Sequence, residues 1–306
     1  MPVMSRSPSK SSPAPGPGPG SESGSSPDRA TGYALLPVHV QRDGTARDTQ
    51  DYVAEEVPVA LIVNGQPHVV MMATPGDLED FALGFSLSEA IVASANDVES
   101  LTVNALDNGY EIGLRIPAER AALLADRRRN LVGRSGCGLC GSETIAEAMR
   151  PAPHVPAGLP ISTAALHRAL HELRERQPIN AVTGATHAAA WADAAGKLLL
   201  VREDVGRHNA LDKLIGAMSR AHIDSARGFA VITSRASYEM VLKAATVGMP
   251  LLAAISAPTA LAVRMAEEAG LSLIGYARGG NHVIYACPAR LSDTAPLPTP
   301  TETVSA

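Results

Sequence analysis

The sequence is poor in cysteine, in aromatic residues and in positive charge. Only 3 of its 306 residues are cysteine, an odd and low number that argues against a disulfide framework and favours a reducing compartment. Aromatic residues make up 3%, so a core must be built from aliphatic side chains and methionine. The formal net charge is -5, whereas proteins that bind nucleic acid usually carry a basic face. We therefore expect a cytoplasmic protein that does not bind nucleic acid.

Long apolar segments are also absent. No run of about 18 apolar residues could span a membrane, and the N-terminus lacks an apolar stretch of the length of a signal peptide. Residues 1–30 consist mainly of Ser, Pro and Gly, which cannot bury enough surface to offset the entropy lost on ordering. We interpret 1–30 as a disordered leader and 291–306, rich in Pro and Thr, as a disordered tail.

Residues 31–133 are predicted to form a small α+β domain. Asn64-Gly65 and Asp107-Asn-Gly109 are hairpin turn signals that separate short apolar segments. The predicted strands are 58–63, 68–72, 101–103 and 110–114. Helices are predicted from about residue 74 and over 118–127, and a cysteine loop with a linking helix occupies 134–150.

Residues 151–290 are predicted to form a larger domain. Apolar strands alternate there with amphipathic helices, which predicts a mostly parallel sheet covered on both faces. The predicted helices are 162–175, 208–219, 238–247 and 259–269, and the predicted strands are 186–192, 197–201, 229–233, 251–256, 271–276 and 282–286. The expected fold class is therefore a three-layer α/β domain with a smaller N-terminal α+β domain.

Two of the three cysteines lie in a glycine-rich loop, Arg134-Ser-Gly-Cys137-Gly-Leu-Cys140-Gly-Ser142. The glycines leave both sulfurs accessible, and the start of the following helix, 143–150, would favour the thiolate. The spacing fits a dithiol redox pair, half of a zinc site or a sulfur-carrying nucleophile. A thioredoxin-type pair would directly follow a strand, and a structural zinc site needs four ligands. Spacing alone does not decide among the three.

Four polar clusters lie where strands of the larger domain are predicted to end or begin. Ligands of open α/β sheets bind at the carboxyl ends of strands, and helix N-termini there attract phosphates. The clusters are Thr183-Gly-Ala-Thr186-His187, Arg202-Glu-Asp204-Val-Gly-Arg207-His208-Asn209, Thr233-Ser234-Arg235-Ala-Ser237 and Tyr276-Ala-Arg278-Gly-Gly-Asn281. Each also has a purely structural interpretation, such as a helix cap or a Gly-Gly hairpin turn. Together they predict a large polar ligand that carries phosphate groups.

These residues together resemble the FdhD family of formate dehydrogenase accessory sulfur carrier proteins. The resemblance spans about 51–287 and rests on Ser135 to Gly141, Thr183 to His187, Arg202 to Lys213, Ser234 to Met240 and Ile255 to Thr259. Ala185 is one departure, because the family usually has a second glycine there.

The resemblance implies a cytidine-deaminase-like α/β domain in a homodimer. It does not imply deamination, because the zinc signature H-x-E followed by P-C-x-x-C is absent, and we expect no metal ligands. It implies a sulfurtransferase that receives sulfur from a cysteine desulfurase as a persulfide on Cys137 or Cys140, with Cys137 preferred. The sulfur would pass to molybdenum (or tungsten) bis(molybdopterin guanine dinucleotide), a client cofactor destined for formate dehydrogenase.

The family's cofactor-binding segment corresponds to residues 276–281. With the other clusters, the candidate cofactor-binding residues are Tyr276, Ala277, Arg278, Gly279, Gly280, Asn281, Thr186, His187, Arg202, Asp204, Arg207, His208, Ser234 and Arg235. The arginines are expected to face phosphates and the acids to face guanine. Two alternatives are a non-enzymatic chaperone that only holds the cofactor and a zinc-dependent hydrolase or deaminase.

Overall fold

The computed structural model describes residues 32–129 and 150–293, and the side chains of all of these except 125–129. The predicted leader, the loop with Cys137 and Cys140, and most of the predicted linking helix and tail lie outside the described residues.

The N-terminal region begins with a long hairpin and continues into a four-stranded sheet. The hairpin consists of β1 (Tyr33–Arg42) and β2 (Thr45–Ala54), which the sequence analysis did not predict. The sheet has the order β4-β3-β6-β5 and contains β3 (Val57–Val63), β4 (Gln66–Ala73), β5 (Ser100–Leu106) and β6 (Gly109–Arg115). Both predicted hairpin turns are confirmed, and the central pair β3–β6 is parallel.

One face of this sheet is covered by α1 (Leu78–Ser88), and α2 (Ala118–Arg129) follows β6. Strand β3 alternates between buried and half-buried residues because successive side chains of a strand lie on opposite faces. Its buried residues pack in one cluster with Phe81 and Phe85 of α1. The predicted strand–helix arrangement of this region is therefore confirmed.

The second region contains a six-stranded sheet of order β13-β12-β11-β10-β8-β9. Its strands are β8 (His187–Asp193), β9 (Leu198–Asp204), β10 (Gly228–Ile232), β11 (Leu251–Ala254), β12 (Ser272–Arg278) and β13 (Asn281–Ala286). Only the pairs β10–β11 and β11–β12 are parallel, so the prediction of a mostly parallel sheet is wrong. The reason is the short turns that join β8 to β9 and β12 to β13, because a tight turn can connect only antiparallel strands.

Helices cover both faces of the six-stranded sheet. Helix α3 (Thr163–Glu175) lies on one face, and α5 (Arg207–Arg220), α6 (Tyr238–Thr246) and α7 (Ala260–Ala269) lie on the other. In β8, Trp191 belongs to the core with α5, whereas Ala190 belongs to the core with α3. The region therefore has three layers, as predicted. No helix in 32–129 or 150–293 combines the length and the apolar character needed to cross a membrane.

Two smaller elements complete the region. The short helix α4 (Pro178–Thr183), which the sequence pattern does not predict, begins at a proline directly after α3. The two-residue strand β7 (Ile161–Ser162) pairs with β14 (Leu291–Ser292), and Leu291 is buried. The folded chain therefore extends past residue 290, where the tail was predicted to begin.

The two regions are joined by a close crossing of α1 and α5. A Cβ atom on Gly84 would lie 1.7 Å from the Asp212 carbonyl oxygen, and one on Gly216 would lie 1.9 Å from the Asp80 carbonyl oxygen. Only glycine at both positions lets the two helix backbones come this close. The crossing brings the acidic side chains of α1 within reach of the larger domain.

Candidate functional site

The predicted polar clusters converge at one edge of the six-stranded sheet. The carboxyl ends of β10, β11 and β12 share that edge because the three strands are parallel. The antiparallel strand β8 begins there at His187, which pairs with Asp204 at the end of β9. Helices α5, α6 and α7 also begin there. We call the strand-end segments at this edge the polar edge: 186–187, 204–208, 233–237, 255–259 and 276–278.

Backbone hydrogen bonds hold these segments together. The Ile255 amide donates to the Ile232 carbonyl over 3.0 Å, the Thr259 amide donates to the Ala236 carbonyl over 3.0 Å, and the Tyr276 amide donates to the Ser256 carbonyl over 3.2 Å. The segment 255–259 was not among the predicted site residues, although it is part of the family resemblance. Its place after a buried apolar strand is the sequence feature that could have identified it.

Asp204 is enclosed rather than open to a ligand. The residue is fully buried. Its Oδ1 accepts hydrogen bonds from the Gly206 amide and Asn209 Nδ2, and its Oδ2 accepts one from the Thr74 amide and lies 2.8 Å from Lys213 Nζ. Both carboxylate oxygens are therefore satisfied internally, which differs from the guanine-facing role expected of this acid.

The neighbouring acid, Glu203, is likewise used within the protein. Its carboxylate accepts hydrogen bonds from the amides of Ile179 and Asn180 at the start of α4 and from the Thr186 hydroxyl. Thr186 and Glu203 are both buried. The pair fixes the short helix before β8, so Thr186 contributes to the position of the polar edge rather than to its surface.

Arg202 connects the larger domain to α1. Its Nε and Nη2 donate to Asp80 Oδ2 over 2.9 and 2.7 Å, and its Nη1 donates to the Val201 carbonyl. Asp80 is buried and also pairs with Arg220. All three guanidinium nitrogens of Arg202 are thus engaged within the protein, which differs from the phosphate contact expected of this arginine.

His208 and Glu239 link the first turns of α5 and α6. His208 Nε2 lies 2.9 Å from Glu239 Oε2, which also accepts from the Ser237 hydroxyl and lies 3.9 Å from Arg207. Burial acts to raise the pKa of Glu239, but the hydrogen bonds and charges of His208, Ser237 and Arg207 outweigh burial and lower that pKa. A carboxylate therefore stays ionised beside two basic side chains at the polar edge.

His187 is the neutral member of the site. Burial lowers its pKa, and the positive charges of Arg207 and His208 lower it further, against the opposing effect of Asp204. The uncharged imidazole is therefore favoured near neutral pH, where one ring nitrogen donates a hydrogen bond and the other accepts one. Such a group suits contact with a polar ligand.

Permanent positive charge at the polar edge comes from Arg207, Arg235 and Arg278. Arg235 and Arg278 are exposed, and neither lies within ion-pair distance of a carboxylate in the described parts of the chain. The buried Ser234 donates its hydroxyl to the Arg235 carbonyl, which fixes the backbone there. Exposed guanidinium groups beside helix N-termini are the arrangement that phosphate groups prefer.

The segment 276–281 forms a bulge and a tight turn. Tyr276 has a φ of 51° and the residue is 42% exposed, whereas Ala277 is fully buried. A bulky residue in the left-handed region is rare, and such strain is concentrated at functional sites. Gly279 and Gly280, with φ of 58° and 79°, form the turn, and Asn281 donates to the Gly279 carbonyl. An exposed aromatic ring thus lies next to an exposed backbone turn.

A charge cluster around the buried Asp212 and Lys243 lies beside Arg150, which ends the predicted linking helix. Arg150 donates to Glu89, and Lys243 Nζ contacts Glu89, Ser88 and both carboxylate oxygens of Asp212 within 3.0 Å. No local pattern predicts this cluster, because its members come from the end of α1, from α5, from α6 and from Arg150. The signal available in the sequence was an aspartate and a lysine at positions where the neighbouring residues of the helix are apolar.

Comparison with known proteins gives consistent results. The profile of the FdhD/NarQ family matches residues 54–292. A protein of Xanthomonas euvesicatoria named "Sulfur carrier protein FdhD" is 58% identical over 88% of this chain and 96% of its own length. A protein of the same name from Cupriavidus necator is 52% identical over 88% of this chain and 95% of its own length.

A solved structure shares the fold. It is a protein from Desulfotalea psychrophila named as a formate dehydrogenase accessory protein, with a TM-score of 0.70 and 22% identity over 85% of this chain and 100% of that chain. At this level of identity the likeness concerns the fold alone.

Proposed function

The chain belongs to the FdhD/NarQ family, and from this membership we propose that it is a sulfur carrier required for the activity of a formate dehydrogenase. The observation that carries the proposal is the identity of 58% to a protein named as a sulfur carrier, over 88% of the chain. The convergence of the predicted clusters at the polar edge adds support, since it provides a place for a large ligand.

The sulfur chemistry is assigned to the cysteine loop. The Cys137 thiolate attacks the terminal sulfur of a persulfide on a cysteine desulfurase. The donor's S–S bond breaks, the donor cysteine leaves as a thiolate, and a new S–S bond forms on Cys137. Cys140 assists by exchange with Cys137. The remaining cysteine, Cys287, follows β13 at the opposite edge of the sheet and has no part in this step.

The polar edge is assigned to the client cofactor, a molybdenum or tungsten bis(molybdopterin guanine dinucleotide). In this proposal Arg207, Arg235 and Arg278 meet its phosphates, and the turn after Tyr276 contributes backbone groups beside an aromatic ring. Arg202 and Asp204 hold the polar edge in position through their internal contacts. We further expect a cytoplasmic homodimer with a cytidine-deaminase-like larger domain.

A second candidate, a chaperone that binds the cofactor without carrying sulfur, is favoured by one observation. The exposed Arg235 and Arg278 of the polar edge would serve binding of the cofactor equally well with or without sulfur transfer. Cysteine variants separate the two functions, because the chaperone would keep its activity without them.

The test is the intact mass of the protein after incubation with a cysteine desulfurase and L-cysteine. We expect the protein to gain the mass of one sulfur atom, which a reductant removes. Cys137→Ala should lose this gain. Arg235→Ala should keep it and bind the cofactor more weakly, whereas Arg168→Ala, an exposed arginine on α3, should match the native protein in both measurements.

No mass gain in any form, with an active desulfurase, would favour the chaperone. Full formate dehydrogenase activity with both loop cysteines replaced by alanine would exclude the sulfur-carrier mechanism. Cofactor binding that does not change in Arg235→Ala would instead exclude the phosphate contact assigned to that residue.

A further inference from the structure

The long hairpin of β1 and β2 is a sheet of only two strands. In the parts of the chain that the structure describes, no third strand pairs with either of them. Residues 41–53 are all exposed, and so are Leu35 and Leu36. Helix α4 lies near β2, with Ile179 beside Gly32 at the open end of the hairpin. Because a two-stranded sheet is only marginally stable in water, this hairpin needs a further partner.

The backbone of β2 has an outer edge that can pair with another strand. Alternate residues of an antiparallel pair direct their N–H and C=O groups away from the partner strand. The two-residue turn Asp43-Gly44, with positive φ at both positions, makes Arg42 and Thr45 the first hydrogen-bonded pair. The even-numbered residues of β2 therefore face outward. In agreement, the Tyr52 amide donates to the side chain of Asp51 rather than to β1.

Proline blocks the outer edge of β1 but not that of β2. Pro37 is one of the outward-facing residues of β1, and it has no N–H to donate. Strand β2 has ten residues, no proline and no break in its register with β1. Long edge strands without such interruptions readily accept a further strand. The outer edge of β2 is thus the pairing edge of the hairpin.

The charges of β2 favour a second copy of the same strand as its partner. If two β2 strands pair in the antiparallel direction about a two-fold axis at Thr49, Arg47 of each copy lies opposite Asp51 of the other. Opposite charges across a strand pair stabilise it, whereas like charges destabilise it. An axis at Asp48 would place two carboxylates opposite each other, and an axis at Gln50 would leave the arginine without an opposite charge. All three registers pair outward-facing residues with one another, so charge decides among them.

We propose that β2 pairs with β2 of a second copy of this chain about a two-fold axis at Thr49, so that the two hairpins form one four-stranded sheet. Both copies use the same strand, as closed two-fold symmetry requires. On pairing, the Tyr52 amide donates to a carbonyl of the second copy, which releases Asp51 to meet Arg47. This contact gives a surface to the homodimer expected under the proposed function, and it does not depend on sulfur transfer.

The first test is the mass of the full chain in solution, measured by sedimentation equilibrium. We expect the native protein to be a dimer. Gln50→Pro removes an outward N–H from both copies and should weaken association by about tenfold or more. Gln41→Pro is the matched control, because it removes an outward N–H from β1 and should leave the dimer unchanged.

Charge variants test the register. Arg47→Asp places two carboxylates opposite each other across the new strand pair, and Asp51→Arg places two guanidinium groups there, so each should weaken the dimer. The two substitutions together should restore it, because the opposite charges are then exchanged rather than lost.

Cross-linking tests the axis in a chain that carries Cys137→Ser and Cys140→Ser, so that the loop thiols do not compete. Thr49→Cys should give a disulfide-linked dimer on mild oxidation, because the two Cα atoms at the axis lie about 4.5 Å apart. Thr45→Cys lies on the same face of β2 but would place the two sulfurs about 26 Å apart, so it should give none.

Two readings accompany every variant. Unchanged fluorescence of the buried Trp191 shows that the variant is folded. The persulfide mass gain is measured separately, so that failure of the strand pairing and failure of sulfur transfer can be told apart. A monomeric native protein, a dimer that survives Gln50→Pro, equal loss in Gln41→Pro, no rescue by the combined charge variant, or equal cross-linking at both threonine positions would each overturn the proposal.

Discussion

Replacement of Lys213 by methionine tests how the two regions of the fold are held together. The Lys213 ammonium is almost fully buried and has three acceptors: Asp204 Oδ2 at 2.8 Å, the Thr74 carbonyl at 2.9 Å and the Glu203 carbonyl at 3.4 Å. A lysine ammonium has three donor hydrogens, so its hydrogen-bonding capacity is fully used. Thr74 belongs to the N-terminal region, and Lys213 and Asp204 belong to the larger one.

Methionine keeps the length of the side chain but leaves the Asp204 carboxylate buried without a counter-charge. Breaking one side of a buried ion pair costs about 3–5 kcal/mol, which is a large part of a typical stability of about 5–15 kcal/mol. With a urea m-value of about 3 kcal/mol per M, the unfolding midpoint should fall by about 1–1.7 M.

The assay can use the fluorescence of Trp191, the single tryptophan, which is buried in β8 and packs in the same core as α5. Lys197→Met is the control, because this lysine is exposed in the β8–β9 turn and should change stability by less than about 0.5 kcal/mol. In the double variant with Asp204→Asn both charges are gone, so the loss should be smaller than the sum of the single losses by at least about 1 kcal/mol.

A loss of less than about 1 kcal/mol in Lys213→Met, or strict additivity in the double variant, would refute this account of the pair. Either result would mean that Asp204 is stabilised sufficiently by its three neutral donors. Lys213, which lies in a segment that carries the family resemblance, would then need a functional explanation instead of a structural one.

Two further predictions concern the same junction. Gly84→Ala should destabilise the protein by about 1–3 kcal/mol, because the alanine Cβ would overlap the Asp212 carbonyl and push α1 away from α5. A urea midpoint equal to that of the native protein would contradict the close crossing of the two helices. Burial acts to raise the pKa of Glu89, but the charges and hydrogen bonds of Lys243 and Arg150 outweigh it and lower the pKa from 4.5 to about 2. The ionised form therefore stabilises the fold above pH 4.5 and loses this effect as the pH falls toward 2. The stability difference between the native protein and Glu89→Gln should be complete at pH 7 and smaller at pH 3 in urea titrations, and equal differences at both pH values would exclude the effect.

Local elements were largely predictable because their causes are local. Asn64-Gly65 and Asp107-Asn-Gly109 fixed two hairpins, and the spacing of apolar residues located most helices and strands within a few residues. The long hairpin β1–β2 was not predicted, although Asp43-Gly44, both with positive φ, is the turn signal that identifies it. Polar residues dominate β2, so apolar alternation gave no support there.

Whether neighbouring strands pair in the parallel or the antiparallel direction was harder to predict from the sequence. Alternation of strands with helices favoured a parallel sheet, and three strands of the six are indeed parallel. The two edge strands, β9 and β13, pair with β8 and β12 through tight turns. Strand β8 in turn pairs with β10 in the antiparallel direction. Which strands are neighbours depends on the packing of distant segments, which no local pattern contains.

The sequence by itself determined the family, most of the elements and the polar clusters at the strand ends, because these follow from turn chemistry, from apolar periodicity and from the types of residue present. Only the tertiary structure decided which side chains of each cluster are free to contact a ligand. Arg202 and Asp204 lie within six residues of Arg207, yet their partners, Asp80 and Thr74, come from a region more than a hundred residues earlier in the chain. A charged residue becomes structural or available only when such distant partners reach it, and this depends on the folded chain as a whole.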